Sequence, residues 1–185
     1  MTVLILIRHG ETAWNVIGRY QGQADPPLNE RGRKQAQKVA QELKEKTQID
    51  RLFTSPLRRT KQTAEEIAKM LEIPLHSDPR LMEIHQGDWQ TKLRSEIEEA
   101  YPDLFHRWES EPWQVTPPGG EHLSQVQTRV YTAVDEIIQR YPHQKIGLVI
   151  HRIPIALLKM RYQNLDPDIV RTIHLPNTYW EVIHV

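Results

Sequence analysis

The chain has no cysteine among its 185 residues. Disulfides, thiolate nucleophiles and Cys-based zinc sites are therefore excluded. It also lacks a charge excess: 24 Lys and Arg stand against 24 Asp and Glu. No basic footprint for a nucleic-acid backbone follows from that balance, and no nucleic-acid partner is expected. No apolar run approaches the length of a bilayer span, so no membrane partner is expected either. The first apolar stretch, 3–7, is too short for a secretory core and no cleavage site follows it, which makes a cytoplasmic location the expectation. Repeats and low-complexity tracts are missing, and the 13 Pro and 8 Gly are scattered along the chain. They punctuate elements and mark no disordered tail. The length suits one domain over 1–185.

What is present begins at residues 4–15, Leu-Ile-Leu-Ile-Arg-His-Gly-Glu-Thr-Ala-Trp-Asn. Four apolar residues end in Arg8, His9 and Gly10. Such a run bounded by Gly reads as a buried strand of a parallel sheet. A second apolar run, 145–150, ends in His151. Between them, a helix from about Asn29 carries Ala36, Val39, Ala40 and Leu43 at helical spacing, 121–141 does the same with Val126, Val130, Ala133, Val134 and Ile137, 49–54 reads as a short strand, and Ser55-Pro56 reads as the start of a helix reaching about Leu71. Residues 74–76 read as a weak strand, 93–110 as one or two helices broken near Pro102, and 172–175 and 178–184 as two β-like segments. Strands alternating with helices predict an α/β fold: a mostly parallel, doubly wound sheet in a three-layer α/β/α sandwich. Residues 80–120 read as a helical insertion over one edge, a place where lids form.

Ligands in such sheets bind at the carboxyl ends of the strands. His9 and His151 would share that edge, with Arg8 beside them and Arg58 in the first turn of the helix after Ser55-Pro56. Arg59 reads as an ordinary exposed arginine. Guanidinium groups match phosphoryl oxygens in charge and geometry, and phosphoryl transfer needs little beyond charge stabilisation and alignment. Glu83 lies in Leu81-Met82-Glu83-Ile84, where apolar neighbours favour a carboxyl that keeps its proton and acts as a general acid. A solvated loop glutamate fits that spacing equally well. The seven other histidines show no zinc-type spacing, and no metal is expected.

The blocks LILIRHGETAWN (4–15), RYQGQADPPLNERGRKQA (19–36), LFTSPLRRTKQTAE (52–65), LMEIHQGDW (81–89), PPGGE (117–121) and IGLVIH (146–151) together resemble the histidine phosphatase superfamily, in its phosphoglycerate-mutase-like phosphatase branch. The resemblance implies a metal-independent phosphomonoesterase, with no cofactor, acting on a small phosphorylated metabolite. It implies His9 as the nucleophile that forms a phosphohistidine, and Arg8, Arg58 and His151 as holders of the phosphoryl oxygens with help from Asn15. Glu83 would be the proton donor, and Gln21 and Gly22 would lie along the substrate side. Four positions depart from the family's pattern. Ile150 and Arg152 flank His151 where a small residue and Gly are usual, Thr91 stands where Gly is usual after Gly-x-Trp-x, and His122 replaces a common Ser. Two alternatives follow: a phosphoglycerate mutase, or a non-catalytic phosphometabolite-binding protein whose pocket Arg152 has altered. Edge strands near the C-terminus leave room for a homodimer.

Overall fold

The computed structural model describes residues 1–185. Its centre is strand β1, Val3–Arg8, whose residues Leu4 to Ile7 are all fully buried. Side chains alternate across a strand, and here the two sets enter different cores. Leu4 and Leu6 pack with Val126, Val130 and Leu157 on one face, whereas Ile5 and Ile7 pack with Val39, Leu43 and Ile67 on the other. Burying four such side chains contributes about 6–12 kcal/mol at about 1.5–3 each. This two-sided burial explains why the run is continuously apolar and makes three layers.

The elements on the first half of the chain are helix α1 (Ala13–Ile17), helix α2 (Glu30–Lys46), strand β2 (Arg51–Thr54), helix α3 (Arg58–Leu71) and strand β3 (Leu75–Ser77). Helices α4 (Arg94–Ala100) and α5 (Pro102–Ser110) follow, then α6 (Leu123–Arg140), strand β4 (Lys145–Ile150), α7 (Arg152–Tyr162), α8 (Ile169–Thr172) and strand β5 (Trp180–His184). The sheet order is β3-β2-β4-β1-β5. All neighbouring pairs are parallel except β1 with β5. No helix is long and apolar enough to cross a membrane.

Local chemistry sets the helix starts. Asn29 caps α2 by accepting from the Gly32 N–H at 2.7 Å. Gly32 is required by a close approach, because a Cβ there would lie 2.0 Å from the Glu11 carbonyl oxygen. The first turn of α2 is thus pressed against the loop that follows His9. His122 caps α6, its Nδ1 accepting from the Ser124 N–H at 3.1 Å. The imidazole does here what a Ser hydroxyl does at an N-cap.

Three expectations change. The loop after β1 contains α1, capped by Thr12 and Asn15 and ended by Gly18 at φ 68°. Helix α3 begins at Arg58, not at Pro56, because Ser55 Oγ accepts the Leu57 N–H at 3.2 Å and closes a turn before the helix. Residues 172–175 form no strand. The free edge of β1 is already taken by β5, and the preceding residues close one helical turn, with the Ile173 N–H bonded to the Ile169 carbonyl at 2.9 Å.

Candidate active site

Strand register builds the site. Arg8 pairs with Ile150 and Thr54 with Val149, so His9, His151 and Ser55 leave the sheet together at its carboxyl edge. The His9 and His151 ring centroids are 5.4 Å apart. His9 lines a cavity of about 190 Å³ together with Arg8, Arg59, Glu83 and Arg152. His151 is sealed behind it at 0% exposure, with Nε2 2.9 Å from Ser55 Oγ.

His9 Nδ1 lies 2.7 Å from the Gly10 carbonyl oxygen. A carbonyl only accepts, so Nδ1 carries the proton and Nε2 keeps its lone pair without a protein partner. Burial, then the charges of Arg59 and Arg8, push the His9 pKa well below its ordinary value. The ring is therefore uncharged at neutral pH, with the Nε2 lone pair open to the cavity. His151 is held low in the same way, by burial first and Arg59 second. Burial raises the Glu83 pKa, while the Ile84 N–H and the arginines pull against it. That N–H reaches Glu83 Oε1 at 3.0 Å. Glu83 has the character of a proton donor, and the Leu81 and Ile84 side chains that flank it are fully buried.

The arginine of α3 that reaches the cavity is Arg59. Arg58 is exposed and lies outside the cavity wall. Arg59 is 1% exposed and donates to the Gly22 carbonyl at 2.7 Å and the Ala24 carbonyl at 2.8 Å. Both expectations for this pair are therefore reversed. The signal was in the helical spacing: Arg59 continues the buried set Thr60, Thr63, Ala64 and Ile67, whereas Arg58 shares its side with exposed Lys61 and Glu65.

Gln21 and Gly22 line the cavity, as do Trp108 and three residues for which the sequence offered no role, Tyr20, Gln86 and Glu109. Asn15 stands back from the wall. Its Oδ1 accepts from the Thr12 N–H at 3.0 Å and Asn177 Nδ2 at 3.4 Å, fixing the loop after His9. Trp89 is core, with Trp108 edge-on to it at 5.9 Å between centroids. Trp113 donates to the Pro167 carbonyl at 3.0 Å. Thr91 adopts φ 71°, a conformation suited to the glycine it replaces.

The arginines share one device. Arg8 donates to the Leu175 carbonyl, Arg59 to those of Gly22 and Ala24, and Arg152 to that of Arg171. None of the three forms an ion pair with a carboxylate. Carbonyls orient a guanidinium without neutralising it, so the positive charge stays available to an anion.

An uncharged imidazole, a buried carboxyl that holds its proton more tightly than usual and uncompensated guanidinium groups at a strand edge define a phosphoryl-handling enzyme of the phosphoric monoester hydrolase class. The chain belongs to the histidine phosphatase superfamily (branch 1), whose family model matches residues 4–185. It is 39% identical over 185 residues to phosphoserine phosphatase 1 of Hydrogenobacter thermophilus, covering 100% of this chain and 87% of that one. The solved structure of Bacillus stearothermophilus YhfR superposes with TM-score 0.93 at 34% identity, covering 100% of this chain and 92% of that one. A mycobacterial glucosyl-3-phosphoglycerate phosphatase in complex with VO3 gives TM-score 0.89 at 30% identity, covering 97% and 90%.

Proposed function

We propose that this phosphatase hydrolyses a small phosphorylated metabolite through a phosphohistidine on His9, and that O-phosphoserine is its first candidate substrate. The observation that carries the mechanism is the 2.7 Å contact of His9 Nδ1 with the Gly10 carbonyl oxygen, which assigns the proton to Nδ1 and leaves Nε2 as the nucleophilic nitrogen. The candidate substrate rests on the 39% identity to a phosphoserine phosphatase.

In the first step Nε2 attacks phosphorus. The P–N bond forms, the bond from phosphorus to the leaving oxygen breaks, and Glu83 gives that oxygen its proton. In the second step the Glu83 carboxylate takes a proton from water as the water oxygen attacks phosphorus. The P–N bond breaks, inorganic phosphate leaves, and Glu83 is again protonated. Arg8 and Arg59 stabilise the charge on the non-bridging oxygens in both transition states. His151 is the second imidazole of the site, its ring 5.4 Å from that of His9 between centroids and anchored by Ser55 Oγ at 2.9 Å. Splitting the displacement in two lowers each barrier. We read the chain as one domain, with segment 80–120 lying over the cavity as an insertion that supplies Trp108 and Glu109 to its wall.

The test is phosphate release from an aryl phosphate and from O-phosphoserine, in the presence of chelator, by the wild-type protein and by His9→Ala. Release by the wild type alone, with acid-labile phosphate bound to protein in rapid-quench samples, supports the reading. Equal rates in the two proteins overturn it.

A further inference from the structure

Two of the three cavity arginines suffice for a phosphoryl group, and the third has no assigned work. Arg152 opens α7 directly after His151 and lines the cavity. Its Nη2 donates to the Arg171 carbonyl at 3.0 Å, and no carboxylate lies within ion-pair distance of it. Two carboxyl residues line the cavity, Glu83 and Glu109, and Glu109 is already paired with Arg94 at 2.7 Å. Arg152 also borders the adjoining small hollow lined by Trp108, Glu109, Pro112 and Val170, so it stands between the two. A long cationic side chain replaces what the family usually keeps as glycine, and the replacement adds charge to the wall without closing the cavity.

The geometry points to Arg152 as a specificity-determining residue that binds a carboxylate on the leaving-group half of the substrate. This rests on the phosphatase reading above and adds the substrate's second anionic group. A single guanidinium offers two parallel N–H donors, which match one carboxylate in the bidentate manner. A second phosphate dianion fits less well, because the Glu109 carboxylate shares that wall and the cavity is only about 190 Å³.

The experiment compares O-phosphoserine with O-phosphoethanolamine, which lacks only the carboxylate, in the wild-type protein and in Arg152→Gln and Arg152→Lys. The wild type is expected to favour phosphoserine by at least about thirtyfold in kcat/KM, the size of one charge-assisted contact. Arg152→Gln brings the ratio to within about threefold of unity, mostly through KM, and Arg152→Lys restores part of it. A wild-type ratio near one, or a ratio that Arg152→Gln leaves intact, overturns the assignment while leaving the phosphatase reading standing. Preference for a bisphosphorylated compound over phosphoserine, lost in Arg152→Gln, replaces the carboxylate by a second phosphate and overturns it too. Failure of the wild type on both compounds and on an aryl phosphate removes the phosphatase reading itself.

Discussion

His9 and His151 stand 5.4 Å apart, centroid to centroid, at the ends of adjacent parallel strands. Their closeness follows from register, since residues that pair as Arg8 and Ile150 are each followed by a histidine. Two imidazoles so near, and both buried, cannot readily share the site as cations.

Acid sensitivity follows. Both rings have folded pKa values depressed below the unfolded value. The unfolded chain therefore binds more protons as pH falls, and stability present above about 6.5 is lost on acidification below it. Glu83, whose folded pKa is raised, acts with the opposite sign at lower pH, one carboxyl against two imidazoles. Denaturant midpoints are expected to fall from neutral to mildly acidic pH, and His9→Gln should flatten the slope. Midpoints that stay level would contradict the burial of neutral rings.

The two neighbouring arginines of α3 are expected to separate sharply. Arg59→Ala should lower kcat/KM by about 10²–10³-fold, as for removal of a charge-stabilising donor. Arg58→Ala should stay within about twofold, since exposed substitutions away from such features change little. Steady-state kinetics on an aryl phosphate decide this, and equal losses would refute the placement of Arg59.

Glu83→Gln should depend on the leaving group. With an alkyl phosphate, the loss of the proton donor should cost about 10²–10⁴ in the phosphorylation step. With an aryl phosphate, whose oxygen leaves without help, the single-turnover loss should be much smaller. In the wild type, the alkyl rate should decline as pH rises through the raised Glu83 pKa, and Glu83→Gln should lose that limb. Equal losses on both substrates would assign Glu83 another task.

The sequence made much of this visible, because the strands that carry the histidines are buried on both faces and must read as unbroken apolar runs. Leu4 to Ile7 and Ile146 to Ile150 did so, and their ends located the crevice. Asn29 marked its helix for an equally local reason, its own side-chain bond to Gly32. The helical spacing places Arg59 with the buried set of α3, but the carbonyls of Gly22 and Ala24 that satisfy its guanidinium lie far away in the chain and leave no local mark. Trp108 and Glu109 reach the cavity only through the tertiary placement of α5, and no local periodicity reports that.

Thr91 holds φ 71° with its N–H bonded to the Tyr20 carbonyl at 2.9 Å. A β-branched residue there costs about 1–3 kcal/mol. Thr91→Gly should raise the melting temperature, offset in part by the entropy of a freer unfolded chain. A lower melting temperature would show that the threonine side chain contributes more than its backbone conformation costs.

The carbonyl-held arginines also bear on how the folded protein behaves in ordinary buffers. Like charges crowded at one mouth repel each other, and that tension is relieved by whichever oxyanion arrives. Inorganic phosphate, the reaction's own product, should act as a counter-ion that props up the fold, and melting should climb with its concentration by mass action. The same affinity would make product departure a brake on turnover, so that an enzyme built to grip phosphate is slowed by its own success.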